Sequence, residues 1–150
     1  MLLPDFVKVH ILLSTFRSQI IILMNMTKAV LGAFAAALVI KLFLFDFIIA
    51  EGNSMEPAIH SGSVLVVNRL HYGLRFPGQA GYLIRWAQPR QGELVVFYTP
   101  SGDIAVKRCD FAGRGEFRAQ GDNSLQSYDS RSYGPVSADA TIGKVLGWGK

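Results

Sequence analysis

The sequence predicts a mainly β domain of modest size behind one N-terminal transmembrane helix. Three observations predict it: an apolar run over residues 29–50, short apolar segments separated by glycine-rich turns after residue 50, and no long helical pattern beyond that point. Half of the 150 residues are hydrophobic, and the excess lies at the N-terminal end, where Met1–Ala50 carry only Asp5, Lys8, Arg17, Lys28, Lys41 and Asp46 as charged residues. The rest of the chain has the balance of an ordinary globular domain.

Residues 1–28 form an N-terminal segment whose apolar stretch over 6–26 is interrupted by Lys8, His10, Arg17, Ser18 and Gln19. That pattern falls short of a clean span. Met24 and Met26 stand just ahead of the clean run as alternative starts, so residues 1–23 read either as a start-site artefact or as an amphipathic surface helix. Residues 29–50 read AVLGAFAAALVIKLFLFDFIIA. As a helix they extend about 33 Å, enough for a hydrocarbon core of about 30 Å. Lys41 snorkels and Asp46 sits near the far interface on this reading. A cleaved signal peptide fits less well, because its apolar region is shorter and cleavage near residue 50 leaves a reactive loop at the new terminus. Lys8, Arg17 and Lys28 precede the run and only Arg69 lies in the 20 residues after it. The bias puts the N-terminus in the cytoplasm and residues 51–150 outside it.

From residue 51 the chain reads as short strands: Val64–Val67, Leu94–Tyr98, Ile104–Arg108, and more weakly Phe117–Ala119 and Ile142–Leu146. The turn Thr99-Pro100-Ser101-Gly102-Asp103 joins the second to the third. Gly73–Gly92 has no clear period; Tyr72, Phe76, Tyr82 and Trp86 cluster there, and such rings suit a bilayer interface. This part carries eleven Lys/Arg against nine Asp/Glu, with no dense basic run, which argues against nucleic acid as a partner. Cys109 is the only cysteine, so there is no intrachain disulfide, and it reads as a small core residue. Paired-cysteine and H-E-x-x-H patterns are absent, and neither a metal nor a cofactor is implied.

Three clusters can carry chemistry. Gly52-Asn53-Ser54-Met55-Glu56-Pro57 is a short loop that exposes a hydroxyl, which needs a base to become a nucleophile. Asp103-Ile-Ala-Val-Lys-Arg108 places Lys107 on a strand among Val, Ala and Phe. A free lysine is neutral in only about 1 in 2,500 molecules at pH 7, but burial lowers its pKa, and a fall of about 2–3 units makes it a workable base. Gly121-Asp122-Asn123, Ser127, Asp129-Ser130-Arg131 and Gly134-Pro135-Val136 form a polar loop held by its own hydrogen bonds and an Asp129/Arg131 pair. His60 and His71 lie near Ser54 in sequence, so a Ser/His site stays open at this point, whereas His10 lies before the helix.

In this order and behind an anchor, the three clusters resemble the conserved boxes of type I signal peptidases, over roughly residues 45–147. GNSMEP resembles the nucleophile box, GSVLVVN and GELVVF the strand box, DIAVKR the general-base box, and GDN, SYDSR and GPV the last box. The resemblance implies that Ser54 is the nucleophile and Lys107 the general base, with Arg108 as its partner. It further implies that Ser127 orients the lysine and that Asp129 with Arg131 forms a structural ion pair; Asp122, Gly52 and Asn53 support the site. Ser124 replaces the arginine usual after GDN, only 13 residues separate Lys107 from Gly121, and Gly52 stands where some members carry a serine that helps the oxyanion hole. Backbone N–H groups can serve the hole instead. The implied activity is removal of signal peptides from exported preproteins after small residues, through an acyl-enzyme, by a single-pass protein of the plasma membrane. The implied partners are those signal peptides and the bilayer. Two rival readings are an inactive homologue acting as a binding subunit and a self-cleaving repressor-type Ser/Lys protease. The second needs an N-terminal DNA-binding domain where this chain has an apolar helix.

Overall fold

A computed structural model describes residues 5–76 and 81–149. It divides into two units, residues 1–39 and residues 40–150. In the first, helix α1 runs from Asp5 to Val39, and its stretch Leu13–Val39 is long and apolar enough to cross a membrane. The interruptions noted in the sequence do not break it. Ser18 donates to the Ser14 carbonyl at 2.9 Å and Thr27 to the Leu23 carbonyl at 2.9 Å, so these polar side chains satisfy themselves on their own helix.

The expected helix over residues 29–50 is corrected at its C-terminal end. The α-helix stops at Val39, Ile40–Leu44 form a π-helical turn, and Phe45–Ile49 are strand β1. The apolar run is therefore shared between a helix and a sheet, and the second unit begins before residue 51. Phe45-Asp-Phe-Ile-Ile49 is aromatic and β-branched, which suits a pleated strand, and β2 supplies the partner. Asp46 is paired within the sheet unit, where Arg69 donates to its Oδ2 at 2.8 Å.

The remaining strands are β2 (Val64–Asn68), β3 (Gly73–Leu74), β4 (Ile84–Arg85), β5 (Leu94–Tyr98), β6 (Ile104–Gly113), β7 (Glu116–Gln120), β8 (Val136–Ser137) and β9 (Thr141–Gly149). Short helix α2 spans Ser130–Tyr133. Seven strands form one antiparallel sheet in the order β1-β2-β9-β5-β6-β7-β8, and β3 pairs with β4 separately. The expected strand over 104–108 extends to Gly113 and the one over 142–146 to Gly149, because each gains a second partner along its length.

Central β5 explains the continuous Leu-Val-Val-Phe run. Leu94 and Val96 enter one apolar cluster, with Met55, Ile59, Leu65, Val67 and Val145. Val95 and Phe97 enter the other, with Tyr72, Cys109, Phe117 and Ala119. Alternate side chains of one strand thus feed two cores. Cys109 is fully buried as expected, and burial pushes its thiol up to about 11. The aromatic cluster after β2 separates into two kinds. Tyr72 is fully buried and donates to Glu93 Oε2 at 2.9 Å, and Tyr82 donates to the Thr141 carbonyl at 2.9 Å. Phe76 and Trp86 stay exposed.

Candidate active site

Ser54 stands on the loop between β1 and β2. The loop is closed at its base by Ala50 N–H on the Ser63 carbonyl and Gly62 N–H on the Ala50 carbonyl, both 2.8 Å. Met55 and Ile59 pin it from below, each almost fully buried in the first cluster. Gly52 has φ of 75°, in the region that favours glycine, so a serine there would be strained. Asn53 accepts at its carbonyl from Glu56 N–H at 3.2 Å, which tightens the turn around Ser54.

Lys107 lies on β6 opposite fully buried Val95, and is itself only 5% exposed. Its Nζ is hydrogen-bonded to Ser54 Oγ. The two residues are 53 apart in sequence, and the sheet brings them together. Burial, the larger influence, pushes the Lys107 pKa down; the Asp129 carboxylate pulls it up and the Arg131 charge pulls it down, and the net shift is downward. His60 contacts Glu56 at 3.4 Å and His71 lies 3.7 Å from Glu93. The group bonded to Ser54 is therefore the lysine.

The third cluster closes over this pair. Asn123 N–H donates to the Ser54 carbonyl at 3.0 Å, a clamp that the sequence did not reveal. Asp129 is completely buried and accepts from Gly121 N–H at 2.8 Å, Ser127 Oγ at 2.6 Å, Arg131 N–H at 3.1 Å and the Arg131 guanidinium at 2.9 and 2.5 Å. Burial alone would raise the Asp129 pKa, but these hydrogen bonds, Arg131 first, hold its carboxyl well below the usual carboxylate range. Asp129 also caps the N-terminus of α2. The Asp129/Arg131 pair is present in the geometry the sequence suggested. The Ser127 hydroxyl donates to Asp129, the carboxylate whose charge acts on Lys107. Arg108 forms a two-bond pair with Asp122 at 2.9 and 2.7 Å and donates to the Gly92 carbonyl at 3.0 Å, which ties β6 to the loop after β7.

A cleft of about 300 Å³ opens beside Ser54 and Lys107, with walls that include Ile48, Ala50, Leu65, Val96, Ile104 and Val106. The β1 residues of this wall were missed because the apolar run hid them inside the expected helix. The aromatic and β-branched content of 45–49 was the available signal. Among the described residues no group of three His, Cys, Asp or Glu is placed to hold a metal ion.

Comparison with known proteins places this geometry in a family. The family described as "Signal peptidase, peptidase S26" matches residues 23–110, a stretch that includes Ser54 and Lys107 and ends before Gly121. Signal peptidase I of Bacillus caldolyticus is 25% identical, over 71% of this chain and 80% of that protein. Mitochondrial inner membrane protease subunit 1 of Xenopus tropicalis is 30% identical, over 69% of this chain and 68% of that protein. Signal peptidase I of Haemophilus influenzae is 32% identical over 66 residues, which are 44% of this chain and 19% of that protein.

Proposed function

The chain belongs to the signal peptidase family, peptidase S26, and on that premise we propose that it removes signal peptides from exported preproteins with Ser54 as nucleophile and Lys107 as general base. It is a serine endopeptidase. The observation that carries the assignment of roles is the hydrogen bond between Lys107 Nζ and Ser54 Oγ, made by a lysine buried in the sheet.

The mechanism follows from that contact. Neutral Lys107 accepts the Ser54 proton as Oγ attacks the scissile carbonyl carbon. The C–N bond breaks, Lys107 returns the proton to the leaving amine, and the signal peptide remains as an ester on Ser54. Water, deprotonated by Lys107, attacks the ester carbonyl; the acyl C–O bond breaks, Lys107 returns the proton to Ser54 Oγ, and the signal peptide leaves with a free carboxylate. Asp129 and Arg131 fix the loop behind the lysine, and the Ser54 turn supplies backbone N–H groups toward the oxyanion. The substrate has two free strand edges to bind. Strand β1 lies at the end of the sheet, and β7 pairs with β6 only from Arg108 onward, which leaves Ile104–Lys107 unpaired on that side. Both edges line the cleft, so an extended peptide can hydrogen-bond to them. The aliphatic walls leave little room and favour small side chains before the scissile bond. Cleavage of a test preprotein by the detergent-solubilised full chain, with N-terminal sequencing of the product, tests this reading: the expected product begins directly after a small residue, and an intact preprotein would overturn it.

Leu13–Val39 is proposed as the membrane span, with residues from Ile40 onward as the catalytic domain. The proposed orientation, with that domain outside the cytoplasm, counts Lys8, Arg17 and Lys28 ahead of an apolar run that starts at residue 29; Arg17 and Lys28 fall inside Leu13–Val39, so a reporter decides it. A reporter active only after export, fused after Lys150, is expected to be active, and a cytoplasm-active reporter at the same point silent. The reverse pattern would overturn the orientation.

The pH dependence has a fixed sign. Protonated Lys107 cannot accept the Ser54 proton, so kcat/KM is expected to fall on the acid side and to rise with pH through the lysine pKa. Burial sets that pKa below the ordinary lysine value. Conformational stability gains in the same direction: the unfolded state holds the lysine proton to higher pH than the folded state does, so folding becomes more favourable as pH rises between the two pKa values. The profile is to be repeated in a His60→Gln/His71→Gln variant. An acid limb that persists there supports lysine; loss of activity with the fold intact assigns the base to a histidine.

A further inference from the structure

Two charged residues line the cleft beside Ser54, and the structure uses them differently. Lys107 is buried and bonded to Ser54. Glu51 is exposed, directly follows the end of the β1 wall, and among the described residues has neither an ion pair nor a hydrogen bond. The neighbouring carboxylates are taken: Glu56 faces His60, Asp46 holds Arg69, Asp122 holds Arg108 and Asp129 holds Arg131. Nor does Glu51 tune the base, since the charges acting on Lys107 are Asp129 and Arg131. Among the described residues lining the cleft, Glu51 is thus the carboxylate without a protein partner, available to the charge of an occupant.

We propose that Glu51 is a specificity-determining residue that makes the cleft favour substrates with Lys or Arg, over those with Asp or Glu, within three residues of the scissile bond. The inference rests on the assignment of Ser54 as nucleophile and deepens it. Glu51 precedes Ser54 by three residues, a reach of at most about 10 Å of chain, and an extended substrate covers the same distance in about three residues. The apolar walls focus the carboxylate's field along the cleft, so a substrate cation feels it more than at an open surface.

The test uses the full chain in detergent and a preprotein series with Lys, Gln or Glu placed singly at each position within three residues of the cleavage site. The wild type is expected to cleave the Lys form about 3- to 10-fold more efficiently than the Glu form at one or more positions, by kcat/KM. The ratio is expected to approach one in Glu51→Gln, to invert in Glu51→Lys, and to shrink with added salt in the wild type. Should Glu51→Lys cleave too slowly to measure, binding of the same peptides to Ser54→Ala with and without Glu51→Lys reads the same ratios. A Lys-to-Glu ratio unchanged across the three proteins at every position would overturn the proposal. The Gln substrates separate the two levels: if the wild type cleaves them but shows no charge preference, only the role of Glu51 fails. If it cleaves none of them, the peptidase reading fails.

Discussion

Ser54→Ala and Lys107→Ala are each expected to lower kcat by about 10⁴- to 10⁶-fold while leaving the fold intact. The two side chains act as one unit through the bond between Lys107 Nζ and Ser54 Oγ, so the double variant is expected to be little worse than either single one. Lys107→Arg is expected to fail as well, because a guanidinium keeps its proton at any working pH and its planar fork does not fit a site shaped for an ammonium. Ser54 is half-buried on a turn, and its alanine variant removes only a hydroxyl, so retained circular dichroism and an unchanged unfolding transition should accompany the loss of activity. Labelling by a serine-directed acylating probe should disappear in Ser54→Ala, which also separates a catalyst from an inactive scaffold. Substantial cleavage by Lys107→Ala would sink the dyad and return attention to His60 and His71.

Gly121→Ala is expected to cost about 10²-fold in kcat/KM, although Gly121 carries no reactive group. A methyl at this position would lie 2.2 Å from Ser127 Oγ, 2.6 Å from Ser127 Cβ and 2.5 Å from the Ser54 carbonyl oxygen. Rotating Ser127 relieves only the first contact; the others require backbone to move. The displaced backbone is that of Ser54, the proposed nucleophile, at the carbonyl that Asn123 N–H holds at 3.0 Å. A shift of this kind disturbs attack geometry before it disturbs substrate contacts, so kcat is expected to fall more than KM rises. Overpacking also predicts a stability loss of about 1–3 kcal/mol, read by chemical unfolding of the detergent-solubilised protein. Near wild-type kcat in Gly121→Ala would show that the loop after β7 does not position Ser54.

Much of the site was legible because each cluster bears its own local constraint. GNSMEP combines a glycine needed at positive φ, a hydroxyl and an apolar anchor, Met55, which is buried as such an anchor must be, with Ile59 buried just beyond it. A lysine in an otherwise apolar strand stands out for the same reason, since its charge has no ordinary place there. The Asp129/Arg131 pair was visible because the residues are two apart and one is an N-cap type. The partner of Ser127 was not visible: a serine flanked by several polar groups has no sequence signal for which of them it bonds. Nor was the split of the aromatic residues after β2, where Tyr72 and Trp86 have similar composition around them but opposite burial.

Hydrophobic content by itself determined that the N-terminal region carries a long apolar helix and that the remainder is a β domain; Ser54 and Lys107 were singled out by the ordered motifs and their resemblance to a family, and their roles are the proposal made above. Tertiary structure decided where the helix yields to the sheet. Residues 45–49 are apolar enough for either fate, and the free edge of β2 captures them by pairing Phe45 with Asn68 through Ile49 with Val64. It also decided the chemistry of the lysine. Its pKa is lowered by loss of water around it and by the Arg131 charge, against the opposing pull of Asp129; these residues lie 24 and 22 positions further on. Local patterning acts within a few residues, whereas desolvation and charge depend on everything within a few ångströms, and only the folded sheet brings those groups there.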